Sequence, residues 1–446
     1  MGNESFTNLP IPAVIFAIAI GLVVWSFLIV DVRHSRWLIG LMLFVSAINV
    51  AITWQGTIFG SWLLPLQQNR STLFLATGVL LGLGLLLQLQ VLSIRDIAGQ
   101  GWMLLVIGLF QGVMRGVHDG FVQGMMSIGF AVATILPLIT IIPALHREEV
   151  DWFKFLRIFM WVNLAWIACV AVQFVVNPSK LTLGSEDRFI GITSNPQHAA
   201  MTLSVFSTVA LWLFMNDKSS RARWPFLLLF GIDIVMLMGT GSRTGILLLF
   251  IGLVAILYRR MGRTVLLLPI VAGVLYLAFF LAGQLDLDLG FQRVVSFEDT
   301  RTGRWIQLWN EGMEAPLIGL GRYDIAGTEN SYLMAVAAFG LPMLALILLL
   351  MAVSLWHCFK LWRSRPYAGS LACYIDLTLG FNVMYFIGAM LEGHILARIA
   401  PMLIFFLCFS GASAKLLQQI EEWKSTQPDE FEEFTGGDHS VLSLSE

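Results

Sequence analysis

The residues most able to do chemistry lie in one polar stretch between two apolar ones. It contains Thr300-Arg-Thr-Gly-Arg-Trp-Ile-Gln-Leu-Trp309, then Pro316-Leu-Ile-Gly-Leu-Gly321, then Glu329-Asn330. Residues 284–331 hold four arginines (Arg293, Arg301, Arg304, Arg322) against a handful of acids. A polar connection of this length inside a compact chain is usually functional. Guanidinium forks suit bidentate contact with phosphate or carboxylate oxygens. A preorganised cluster of them can hold the charge that develops on a departing diphosphate without a metal ion. Two further arginines belong to the same pattern. Arg188 sits in Ser185-Glu-Asp-Arg-Phe-Ile-Gly-Ile-Thr-Ser-Asn-Pro-Gln-His198, and Arg243 in the tight turn Gly239-Thr-Gly-Ser-Arg-Thr-Gly245. Arg188 has a bland alternative, a solvated pair with Glu186 or Asp187, because exposed ion pairs are common and weak. For Arg243 the bland alternative is weaker: flanked by apolar helices, it needs a partner or a wet cavity, and it reads as the least solvated of the three.

The elements that position these residues are membrane helices. Hydrophobic residues make up 57% of 446 positions and charged residues 13%, with a mean hydropathy of +0.78. That leaves too little polar side chain to cover a water-soluble surface. Apolar stretches of spanning length recur at 11–30, 37–53, 73–92, 101–114, 121–145, 155–176, 198–215, 224–240, 244–258, 264–283, 332–356, 371–391 and 395–414. The expectation is an all-α polytopic bundle of 12–13 transmembrane helices with one long external loop, since 101–114 and 244–258 are short enough to be re-entrant or tilted. Cys169, Cys358, Cys373 and Cys408 fall within or beside spans without metal-ligand spacing and read as small buried hydrophobes. The first span lacks a basic leader and a cleavage site, so it reads as retained.

Alternate connections carry 17 and 10 of the Lys and Arg residues. The richer set is cytoplasmic by the positive-inside rule, which puts 177–197 and 284–331 outside. Arginines placed against that rule need another reason, and anion binding supplies one. Residues 1–414 form one membrane domain. Residues 415–446, with 8 acids and 2 lysines, read as a cytoplasmic tail too polar to pack, disordered apart from a short surface helix around Lys415–Trp423. No internal repeat is evident, which counts mildly against a transporter built from duplicated halves.

Other polar residues rank lower. Asp233 and Asp376 lie inside spans, where a structural hydrogen bond is at least as good a reading as a functional one. His118-Asp119 reads as a surface pair. Glu392-Gly-His394 lies outside beside Arg398, where it could line an acceptor cavity. Trp305 and Trp309 could pack as an amphipathic helix or touch sugar rings. Trp102, Trp152, Trp224 and Trp362 anchor span ends.

The ordered set Arg188-Phe-Ile-Gly191, Asn195-Pro196, Gly241-Ser-Arg243, Arg301 with Trp305, Pro316-Leu-Ile-Gly319-Leu-Gly321, Asn330-Ser-Tyr-Leu333 and Gly340 resembles the O-antigen ligase and O-antigen polymerase superfamily. These are bacterial inner-membrane glycosyltransferases acting on undecaprenyl-diphosphate-linked glycans at the periplasmic face. The resemblance covers roughly residues 180–345. It implies inverting, metal-independent transfer with no cofactor. Arg243 and Arg301 would act in catalysis, and Arg188, Arg304, Arg322 and Asn330 would bind substrate. Where the ligases typically place a histidine before the asparagine, this chain has Glu329, which would serve as general base. Partners would be a lipid-linked oligosaccharide donor, a glycan or lipid acceptor and membrane lipids, with no nucleic acid. A transporter or flippase of anionic lipid-linked glycans would use the same arginines but need no base. It should line a path reaching both sides, whereas a catalyst should gather these residues around one outward cavity.

Overall fold

A computed structural model describes residues 35–48, 66, 69–87, 97–146, 149–183, 188–193, 195–217, 220–262, 264, 301–325, 329–396 and 399–426. The expected span 11–30, the expected span 264–283 apart from Thr264, Arg293, Arg398 and residues 427–446 of the tail lie outside them. Thirteen α-helices account for nearly all of the described chain, with one two-stranded antiparallel ribbon. Sequences this apolar form helices because each must satisfy its own backbone hydrogen bonds where water is absent. Among the described residues, six helical stretches are long and apolar enough to cross a membrane: Phe121–Leu145, Asp151–Val176, Pro196–Asn216, Leu341–Tyr367, Gly369–Leu391 and Pro401–Ser425. Three shorter ones, Ser35–Ala47, Arg70–Gly84 and Arg243–Tyr258, are also apolar. The protein is an all-α, multi-pass membrane bundle in contact with lipid.

In chain order the helices are α1 (Ser35–Ala47), α2 (Arg70–Leu87), α3 (Gly99–His118), α4 (Phe121–Leu145), α5 (Glu149–Val176), α6 (Pro196–Asn216), α7 (Ser220–Gly239), α8 (Arg243–Met261), α9 (Thr302–Glu314), α10 (Ser331–Phe339), α11 (Leu341–Ser364), α12 (Ala372–Leu391) and α13 (Pro401–Thr426). Strands β1 (Thr182–Leu183) and β2 (Arg188–Phe189) pair between α5 and α6, with Leu183 opposite Arg188. The core is aromatic where α12 meets α13. Tyr385 stacks on Phe406 at 4.0 Å and Phe381 on Phe409 at 3.8 Å. Asp233 of α7 accepts a hydrogen bond from Asn163 of α5 at 2.8 Å, both fully buried, an interhelical tie.

Three features of the fold matter for the site. The expected span 332–356 is broken at Gly340, whose φ of 81° lies in the left-handed region and separates α10 from α11. The break exposes the last carbonyls of α10, and buried carbonyls need donors. Leu320 N–H donates to Ala337 and Gly321 N–H to Ala338, while Leu341 N–H donates to Pro316. The 316–321 motif is thus a backbone clasp on the helix break. Gly319 (φ 70°) packs against the Phe339 amide so closely that any Cβ there would overlap it. Secondly, Trp305 and Trp309 lie on the amphipathic helix α9, which buries Leu308 and Gly312 against α10. Thirdly, α13 continues past residue 414 to Thr426. Leu416 and Ile420 are buried and Gln419 donates to the His146 carbonyl, so residues 415–426 pack with the bundle rather than joining a polar tail.

Candidate functional site

At the end of the bundle where α13 begins, a cavity of about 680 Å³ opens between α1, α2, α3, α6 and α13, roofed by α9 and the loops around it. Among the described residues four arginines line it: Arg70, Arg115, Arg304 and Arg322. Its carboxylates are Glu329 and Glu392, and Thr193, Asn195, Gln197, His198 and His394 add neutral polar groups.

Each arginine is aimed by a different element. Arg70 opens α2 and donates to the Ile399 carbonyl at 2.9 Å. Arg115, in the last turn of α3, donates to Asp119 at 2.8 Å and to the Tyr323 hydroxyl at 2.9 Å. Arg322 follows the Gly319–Gly321 clasp and reaches the Leu396 carbonyl at 3.4 Å. Burial, and to a smaller degree the neighbouring Arg115, lowers the Arg322 pKa from the usual arginine value. Arg304, on α9, donates to Glu329 Oε1 at 2.5 Å, with its own side chain 57% exposed.

The three motif arginines converge beside the cavity on one turn. Arg188 Nε donates to the Thr240 carbonyl at 2.9 Å. Arg301 Nη2 lies 3.4 Å from Thr244 Oγ1, and Arg243 opens α8 between those two anchor points. Arg243 is exposed, not the least solvated of the set. Being next to apolar helices in sequence did not bury it, because the turn Gly239–Gly245 lies at the helix end. Arg301 also donates to the Leu391 carbonyl at 2.9 Å and to Glu392 Oε1 at 3.2 Å. It therefore ties α9 and α8 to the segment that follows α12.

That segment, beginning at Glu392, forms one wall of the cavity. Asn330 is buried and its Oδ1 accepts the amides of Tyr332 and Leu333, capping α10. Its carbonyl therefore serves the helix, and Asn330 is not among the cavity-lining residues. The adjacent Ser331 donates to the Glu392 carbonyl at 2.7 Å and accepts the Ile395 amide at 3.2 Å. The Asn-Ser pair thus fixes a helix start and the opposite wall together. Glu392 is 4% exposed. Burial pushes its carboxyl up to about 8; Arg301 opposes that shift, Glu329 adds to it, and Arg188 opposes it more weakly. His394 Nε2 meets the Tyr385 carbonyl at 3.0 Å. A carbonyl can only accept, so that nitrogen carries the proton. Burial lowers the His394 imidazole to about 4.

Of the residues singled out from sequence, Glu329, Arg304 and Arg322 line the cavity, Arg301 is one hydrogen bond away through Glu392, and Arg188 and Arg243 flank the same turn. Glu392 and His394, ranked below them, are central. Arg70 and Arg115 were not singled out, although the orientation count contained their signal. Seven of the ten basic residues against the rule fall in 177–197, at Arg243 and in 284–331, and the other three are Arg70, Arg115 and Arg398. His118, read as a surface residue, is hydrogen-bonded to the Ile318 carbonyl at 2.9 Å and holds the clasp from outside. Among the described residues, no group of three or more His, Cys, Asp or Glu side chains is placed to hold a metal ion. No family model and no characterised protein matches the chain.

Proposed function

We propose that the protein is a membrane glycosyltransferase that polymerises or ligates a polyprenyl-diphosphate-linked oligosaccharide at the outer face of a bacterial inner membrane, in the manner of the O-antigen ligases and polymerases it resembles. The observation that carries this reading is the convergence of arginines from α2, α3, α9 and the 316–322 clasp on one cavity that also holds two carboxylates. Two phosphate groups match several guanidinium forks set at different angles. A hydroxyl acceptor needs a carboxylate within reach. Transfer then proceeds by attack of that hydroxyl on the anomeric carbon with inversion, the bond to phosphate breaking as arginines take up charge on the leaving diphosphate. The polyprenyl chain would lie among the spans.

The separation of two cavities among the described residues supports catalysis at one face over an open channel. A second pocket, of about 300 Å³, is lined by Trp212, Met215, Asn216, Ile256, Arg260, Cys373 and Asp376 and shares no lining residue with the first. A permeation path would join two such spaces. The test is to incubate the purified full-length protein with a polyprenyl-diphosphate-linked glycan extracted from cells that lack it. Products of higher repeat number indicate a polymerase, and one-step attachment to a different acceptor indicates a ligase. Passage of the intact lipid-linked glycan across a vesicle membrane with no new glycosidic bond would overturn the reading.

A further inference from the structure

Among the described residues two carboxylates line the cavity, and their settings differ. Glu329 has its Oε1 committed to Arg304 at 2.5 Å, in a pair whose side chains are 26% and 57% exposed. It is one half of a latch between α9 and the start of α10. Glu392 is held from several sides: its amide donates to Gly388, its carbonyl accepts Ser331, and its carboxylate meets a guanidinium that also serves Leu391 and Thr244. The contact to that guanidinium is 3.2 Å, longer than the Glu329 pair. A proton acceptor should be rigid, screened from water, and not saturated by a cation.

We propose that Glu392 is the catalytic base of the transfer, and that Glu329 acts instead as the ion-pair partner that holds Arg304 over the donor. The inference rests on the glycosyl-transfer reading above. In the step, the acceptor O–H bond breaks and its proton passes to a Glu392 carboxylate oxygen. The freed oxygen pair forms the new bond to the anomeric carbon. The bond from that carbon to the diphosphate oxygen breaks, its electron pair leaving with the diphosphate, and Glu392 later returns its proton to water. Burial, which pushes Glu392 up to about 8, places its proton affinity in the range useful to a base near neutrality. The charged groups that face it are Arg301 from the start of α9, Arg188 from β2 and Glu329 from the segment before α10. His394, two residues on, is the other candidate base, but burial holds it at about 4, which makes it a feeble proton acceptor.

The test is single-turnover transfer by the full-length protein, measured from mildly acidic to mildly alkaline pH, beside binding of undecaprenyl diphosphate alone. For wild type, transfer should rise with pH through about 8, because the base must be ionised. Glu392→Gln keeps the side-chain shape and an acceptor for Arg301. It should bind undecaprenyl diphosphate undiminished, transfer about 10²–10⁴-fold more slowly and lose the alkaline rise. Glu392→Asp should recover part of the rate, and Glu329→Gln should keep the alkaline rise. Near-normal transfer by Glu392→Gln would overturn the assignment, as would loss of diphosphate binding together with transfer. If Glu392→Gln does not fold, the wild-type profile decides: a flat profile overturns the assignment without any variant. Wild-type protein that binds undecaprenyl diphosphate but forms no glycosidic bond would bring down the transfer reading itself, a result distinct from an active wild type whose rate ignores Glu392.

Discussion

The two ends of the bundle differ in how densely they gather arginine. Away from the cavity, two arginines each meet one carboxylate. Arg157 pairs with Asp217 at 2.6 Å, and Arg365 donates to Asp376 at 3.1 Å, while Arg260 donates to the Met215 carbonyl. At the cavity end Arg115 pairs with Asp119 and Arg304 with Glu329, but more arginines gather there than these two carboxylates can answer. Arg70 and Arg322 contact backbone carbonyls, and Arg301 faces a carboxylate whose burial favours the neutral acid. Gathering like charges in a partly dry space is costly unless something offsets them. One-to-one pairs are neutral and self-sufficient. A surplus of guanidinium is the signature of a site completed by an anion from outside.

The largest effect that sharpens this contrast is expected at Arg243. Arg188 and Arg301 anchor the turn through Thr240 and Thr244, and Arg243 is exposed on that turn, where a phosphate can reach it. Arg243→Lys keeps the charge and loses the fork. Transfer should drop by about 10²-fold, the scale seen when one preorganised donor to developing charge is removed. The measurement is turnover of a variant whose unfolding temperature is unchanged. Wild-type turnover would take Arg243 out of the site and leave the turn as a scaffold.

A middle-sized effect is expected at Glu329, and it separates the two cavity carboxylates. If Glu329 only positions Arg304, Glu329→Gln should slow transfer by less than about tenfold, because an exposed ion pair contributes little. Loss of about 10²–10⁴-fold with donor binding intact would restore Glu329 as the base, as the motif comparison implied. In that case Glu392 would be the residue that orients Arg301.

How much of this was legible in the sequence differs between the scaffold and the site. Apolar stretches located the helices because hydrocarbon leaves the backbone no other partner than itself. The break at Gly340 was hidden because nothing in an unbroken apolar run reveals that Pro316, Leu320 and Gly321 will come back to bond its exposed backbone. The motif arginines were readable from type and orientation. Arg115 was readable only as one of a count, since its role depends on Tyr323 and Arg322, far away along the chain. Glu392 was visible as a polar residue at a span end. Its rank was not, because its burial and its contacts with Arg301 and Ser331 are properties of the assembled fold. Asn330 shows the converse, a motif residue whose side-chain hydrogen bonds are those of a helix cap.

The smallest effect on turnover is expected at the opposite end, and it is the control on the whole contrast. Asp376 lies within an apolar helix, a place where a carboxylate is by default a functional candidate. Here it answers Arg365, with only 9% of its side chain exposed. Asp376→Asn removes the charge and leaves a partly buried guanidinium with a poorer acceptor. That should lower stability by about 1–3 kcal/mol, the cost of stranding one partner of a buried polar contact. Turnover per folded molecule should stay at the wild-type level, because no lining residue is shared between the two pockets. Thermal unfolding and single-turnover transfer on the same preparation separate the two quantities. A fall in turnover comparable to that of Arg243→Lys, without loss of folded protein, would mean that the paired end takes part in the reaction cycle. The one-to-one arginines would then need a mechanistic account, and a continuous path between the ends would return as the alternative to a one-sided catalyst.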